Sequence, residues 1–117
     1  MKKLVLLVDD EEIIRLTSGE ILEELGFDVI AAATGNEGLT MFKAKNAEIS
    51  LVLIDMTLPD MSGFELYEEL KKISSDSKYL LTSGYRKDMS GAGKEVQFIQ
   101  KPYTISELSN KLKELLG

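Results

Sequence analysis

The sequence contains no histidine. That absence excludes the Ser-His-Asp and Cys-His nucleophilic constellations and the imidazole ligands most zinc sites use. There is no cysteine either, so neither a disulfide framework nor thiolate chemistry is available. Any chemistry must come from carboxylates, hydroxyls, amines or a hard cation. Positive charge is scarce: 14 Lys and Arg face 20 Asp and Glu, for a net charge of −6. A general nucleic-acid binder needs a basic surface to neutralise phosphates, so direct nucleic-acid contact is not expected. No apolar run approaches the ~20 residues of a membrane span. The start, MKKLVLLVDDEE, makes a poor secretory signal, because its short apolar stretch meets four acids rather than a small-residue cleavage site. The expectation is a cytoplasmic protein with no direct membrane contact.

What remains is 117 residues, 44% of them hydrophobic, enough for one domain with a real core, spanning 1–117. Apolar runs alternate with helical patterns. Strands are expected at Lys3 to Val8, Phe27 to Ala32, Ser50 to Ile54, Lys78 to Ser83 and Glu95 to Gln100. Between them lie helix patterns carrying Ile14, Ile21, Leu22 and Leu25, then Leu39 and Phe42, then Phe64, Tyr67 and Leu70, with Leu108, Leu112 and Leu115 at the end. Gly26 should stop the first helix. Three starts, Thr34-Gly-Asn-Glu37, Ser62-Gly-Phe-Glu65 and Thr104-Ile-Ser-Glu107, fit the reciprocal capping box. Gly84 to Lys94 breaks the rhythm, with three glycines and no apolar stripe. Five strands alternating with helices imply an α/β fold: a doubly wound parallel sheet of flavodoxin-like order 2-1-3-4-5, with a shortened fourth helix between strands four and five.

In such sheets, ligands bind beyond the carboxyl ends of the strands, at the switch point between strands one and three. Asp9 and Asp10 close strand one and Asp55 closes strand three; Ser83 and Lys101 reach the same edge from strands four and five. Three crowded carboxylates repel one another unless something neutralises them. Mg2+ does so through one or two carboxylates while keeping waters for a phosphate. A carboxylate beside that cation can attack phosphorus and become an aspartyl phosphate, with Lys101 supplying opposite charge and Ser83 a hydrogen bond.

This set, with the IDMTLPDMSG block, the LLTSG strand end and QKPY, resembles the receiver domain of two-component response regulators over nearly the whole chain. The resemblance implies that Asp55 is the phosphoacceptor. It implies Mg2+ bound by Asp10, Asp55 and the Thr57 backbone carbonyl, with Asp9 acting through water. Ser83 would be the switch hydroxyl and Phe98 the switch aromatic. Lys101 would pair with the phosphate and precede a cis Pro102. The partner it implies is a histidine kinase or a histidine phosphotransfer protein, since this chain has no histidine to act as donor. TSGY at Thr82 to Tyr85 resembles receivers attached to hybrid sensor kinases, and Tyr85 stands where a bulky ring would slow acyl-phosphate hydrolysis. The short interval from Ser83 to Lys101 trims the usual output surface, leaving at most a weak homodimer.

Other readings compete. Asp10 alone would serve as a helix cap, Asp55 as a turn residue, Lys101 as a solvated charge and Phe98 as plain core. Glu68 to Lys72 reads as a solvated helix face with supportive charge pairs. Gly91-Ala-Gly93-Lys94 is no Walker loop, because Glu95 follows where Ser or Thr is needed. Asp55 to Asp60 is no EF-hand loop, because Leu66 stands where the bidentate Glu should be. A small metal-dependent phosphatase would usually need a second acid as acid–base, and in one large family Thr57 stands in its place. A degenerate receiver acting only as an interaction module is the remaining alternative.

Overall fold

The run Ile49–Asp55 is apolar on both faces because it lies between two helical layers. In the computed structural model, which describes residues 3–74, 76–84 and 96–116, it is the central strand of a five-stranded parallel sheet. The chain runs β1 (Leu4–Val8), α1 (Glu12–Glu24), β2 (Asp28–Ala32), α2 (Gly35–Lys45), β3 (Ile49–Asp55), α3 (Gly63–Ile73), β4 (Lys78–Ser83), β5 (Gln97–Gln100) and α4 (Ile105–Leu116). The sheet order is β2-β1-β3-β4-β5, as the alternation implied. The expected shortened fourth helix, Tyr85 and the Gly91-to-Lys94 stretch fall on residues 85–95, outside the described residues.

Alternate residues of the strands feed two separate cores. Leu6, Val8, Val52 and Ile54 pack with Phe42, Leu66 and Leu70 of α2 and α3. Val5, Leu7, Leu51 and Leu53 pack with Leu22, Leu108 and Leu112 of α1 and α4. Both faces of β1 and β3 are therefore closed to water, which is why their sequences read as continuous rather than alternating apolar runs. The edge strands β2 and β5 are only partly buried.

The helix boundaries follow the punctuation. At α3 the Ser62 hydroxyl accepts from the Glu65 amide while the Glu65 carboxylate accepts from the Ser62 amide. Thr104 and Glu107 repeat the same exchange before α4. Thr34 accepts from the Glu37 amide at α2. The chain leaves α1 through Gly26 at φ 97°, a left-handed conformation that a side chain would strain. Asp10 does not cap α1. The cap position falls on Glu11, which makes no side-chain cap bond. Among the described residues, no helix is long and apolar enough to cross a membrane.

Candidate functional site

Parallel pairing brings the carboxyl ends of β1, β3 and β4 level. Val8 stands beside Ile54, and Asp55 beside Thr82. The residues just past those partners therefore converge at one edge. Asp9 follows β1 and donates its amide to the Ala32 carbonyl at 3.1 Å, which fixes the exit direction of the strand. Asp55 is the last residue of β3. Ser83 is buried at the end of β4 and aligned with Gln100. Lys101 follows β5, donates its amide to the Ser83 carbonyl at 2.8 Å and precedes a cis Pro102.

The side chains meet around Lys101. Its Nζ lies 2.7 Å from Asp9 Oδ2, 3.4 Å from Asp55 Oδ1 and 3.9 Å from Glu11 Oε1. Asp9 is 1% exposed and Asp55 6% exposed, so these charges face each other through little water. Burial pushes the Asp55 carboxyl from an ordinary 3.8 up to about 6; Lys101 opposes that rise and the Asp9 charge adds to it. Burial works against the Lys101 ammonium, but the hydrogen bond to Asp9 and the charges of Asp55 and Asp9 outweigh it and hold its pKa above the usual lysine value. Among the described residues, Lys101 is the cation ion-paired with Asp9, Glu11 and Asp55.

Carboxylate oxygens of Asp9, Asp10, Glu11 and Asp55 all lie within 4.8 Å of one another. An all-oxygen donor set of this charge suits a hard divalent cation and no soft one. Asp10 is exposed and Asp55 buried, so the set opens towards solvent on one side. Thr57 is exposed beside it, and its amide approaches Asp55 Oδ1 at 3.4 Å.

The expected site residues Asp9, Asp10, Asp55, Ser83 and Lys101 thus come to one edge of the sheet, with Thr57 in the loop beside them. Phe98 lies apart, aligned with Leu81 on β5 and packed half-buried against the α2–α3 core.

Two residues contribute without having been singled out from sequence, and Gly63, noted there only within the IDMTLPDMSG block, adds a steric constraint. Glu11 joins the acid cluster; its amide donates to Asp9 Oδ1 at 2.9 Å, forming a tight turn. Membership in the acid run of residues 9–12 was its only sequence signal. Arg15 donates from a guanidinium nitrogen to the Asp9 carbonyl at 2.7 Å, one helical turn beyond the pocket. Gly63 packs directly behind Asp55: a Cβ there would drive into the Asp55 carbonyl and the Met56 Cα. Its amide instead donates to the Met56 carbonyl at 2.8 Å.

Comparison with known proteins agrees with this geometry. The family model described as the response regulator receiver domain matches residues 5–113. The sensor kinase CckA of Brucella abortus is 34% identical over 116 residues, covering 96% of this chain. The chain spans only 12% of that kinase's length. Among solved structures, the receiver domain of the hybrid histidine kinase CckA superposes with a TM-score of 0.85 at 26% identity, covering 97% of this chain and 99% of that one. The response regulator TrrA of Thermotoga maritima, in complex with Mg(2+)-BeF, superposes with a TM-score of 0.88 at 32% identity, covering 96% and 97%. The family match takes in the acid pocket and the strands that carry it, and the chain belongs to the response regulator receiver domain family.

Proposed function

We propose that residues 1–117 form one phosphoacceptor domain, and that Asp55 receives a phosphoryl group from a phosphohistidine on a partner histidine kinase or phosphotransfer protein. The observation that carries this reading is the buried Asp55 carboxylate at the end of β3, with Lys101 Nζ 3.4 Å away and four acid side chains whose oxygens cluster within 4.8 Å.

In the transfer, an Asp55 carboxylate oxygen attacks phosphorus as the bond from phosphorus to the imidazole nitrogen breaks. The electron pair of that bond stays on the imidazole, which leaves as the neutral ring once protonation balances its charge. Asp55 must be ionised to attack, which its pKa of about 6 allows at neutral pH. Asp10, Asp55 and the Thr57 carbonyl, with Asp9 through water, are the groups that would hold Mg2+, which when bound neutralises phosphoryl oxygens and acids together. The TrrA complex with Mg(2+)-BeF supports that cofactor. Lys101 pairs with a phosphoryl oxygen and Ser83 donates its hydroxyl to another. Drawing Ser83 towards the phosphoryl group makes room for Phe98 to turn inward, so that a local charge change biases a two-state element. On this reading the domain is a signalling element rather than an enzyme with an external substrate. It assists only its own phosphorylation and slow dephosphorylation, in the cytoplasm where its donor resides.

Intact mass after incubation with acetyl phosphate, with and without Mg2+, tests the proposal. A Mg2+-dependent gain of one phosphoryl group, absent in Asp55→Asn, is expected. No gain in folded wild-type protein would reduce the domain to an interaction module.

A further inference from the structure

The Lys101 side chain is held in the pocket by its acids and its amide by the Ser83 carbonyl, and a further contact ties down the segment that follows. Two residues on, the Tyr103 hydroxyl shares a 2.6 Å hydrogen bond with Ser18 Oγ across 85 positions of sequence. Ser18 is 3% exposed, in the middle of α1. Tyr103 is partly buried against the α1–α4 core. The same helix, through Arg15, grips the carbonyl of Asp9, the acid that meets Lys101. Lysine and acid are thus anchored to one rigid element, Asp9 through Arg15 and Lys101 through Tyr103.

We infer that Tyr103 and Ser18 are positioning residues for the phosphoryl transfer proposed above, fixing Lys101 Nζ where it faces both Asp55 and the incoming phosphoryl oxygens. The inference rests on that phosphoacceptor reading. Its physical basis is that a long, flexible lysine side chain delivers charge usefully only where its backbone origin is fixed, and sub-ångström misplacement of a charge-bearing group slows a positioned reaction. Removing the Tyr103 hydroxyl leaves the ring and its packing in place, so Tyr103→Phe isolates the hydrogen bond. Ser18→Ala does the same from the helix side.

The experiment is the rate of mass gain at saturating acetyl phosphate, titrated with Mg2+, alongside thermal unfolding. Tyr103→Phe and Ser18→Ala should each slow the saturated rate about tenfold, with the Mg2+ concentration for half-maximal rate unchanged. Tyr103→Phe leaves the buried Ser18 hydroxyl unpaired and should melt lower, whereas the double variant removes both hydroxyls and should regain stability. A positioning role requires that the double variant stays slow although it is stable. In a Lys101→Ala background, Tyr103→Phe should have no further effect on rate. Recovery of the rate together with stability, or an undiminished Tyr103→Phe effect without Lys101, would overturn the inference. So would a Tyr103→Phe rate equal to wild type. If wild-type protein gains no phosphoryl group at all, the phosphoacceptor reading fails first and this inference falls with it.

Discussion

Asp55 carries two opposed demands. As the proposed phosphoacceptor it must be ionised, yet it is buried next to another acid. Its folded pKa of about 6 lies above the ordinary 3.8, so the folded state holds the proton more tightly than the unfolded chain does. The stability this contributes is fully present below pH 3.8 and is lost as pH rises through 6. A rise of that size corresponds to roughly 3 kcal/mol of penalty on the ionised form. Asp55→Asn removes that charge but forfeits the attraction to Lys101. Without divalent ions, the variant should therefore be about 1–2 kcal/mol more stable than wild type at pH 7.5 and no more stable at pH 4. Urea unfolding at the two pH values measures this, and a variant weaker at both would show that the pocket is already neutralised. Gly63 carries the opposite kind of constraint, steric rather than electrostatic. With no space behind the Asp55 and Met56 backbone, Gly63→Ala must push β3 out of register with its loop. Overpacking of this kind should cost about 1–3 kcal/mol and slow phosphorylation, both read from the same unfolding and mass-gain assays.

At the scale of elements, the loop after β3 and the start of α2 are coupled through Asp60. Its two carboxylate oxygens accept from the Gly35 and Asn36 amides, both at 2.8 Å. These bonds supplement the Thr34 cap and hold the Asp60 carboxyl below the usual carboxylate range. A lowered folded pKa means that the contribution exists above the ordinary carboxylate pKa and is lost as pH falls through the folded value. Asp60→Ala should destabilise the domain by about 1 kcal/mol at pH 7, with a smaller difference at acid pH, measurable by urea unfolding. Nothing local in the sequence announces this cap, since Asp60 lies 24 and 25 residues from the amides it serves. The same limit separates what was legible from what was not. Strand positions and order, the capping boxes at Ser62 and Thr104, and the edge where Asp9, Asp55, Ser83 and Lys101 meet were legible, because periodicity and strand ends are written in neighbouring residues. Strand ends slipped by a residue or two: β3 begins at Ile49 and includes Asp55, because pairing with β1 and β4 extends it. The Asp10 cap reading failed because the turn closed by Asp9 Oδ1 puts the cap position at Glu11 and the helix start at Glu12. Arg15 and the Ser18–Tyr103 bond act through tertiary contact, which leaves no pattern to read.

For the whole molecule, a cation bound in the acid pocket would couple binding to folding. Unfolding scatters Asp9, Asp10 and Asp55, so a divalent ion held by the folded state stabilises it by mass action. With a net charge of −6, the chain will also respond to any salt through general screening, which must be separated from binding at the site. Mg2+ about tenfold above half-saturation should add about 1.4 kcal/mol to wild-type stability. NaCl at equal ionic strength should not match it, because the acid oxygens within 4.8 Å favour one compact double charge over two diffuse single ones. Asp10 is exposed and carries little of the fold, so Asp10→Asn should leave stability without Mg2+ nearly unchanged while removing most of the Mg2+ response. Thermal unfolding in Mg2+, in EDTA and in matched NaCl gives all three quantities. Equal shifts from Mg2+ and matched NaCl, or a full Mg2+ response in Asp10→Asn, would mean that the ion screens the molecule as a whole and is not bound at the edge of the sheet.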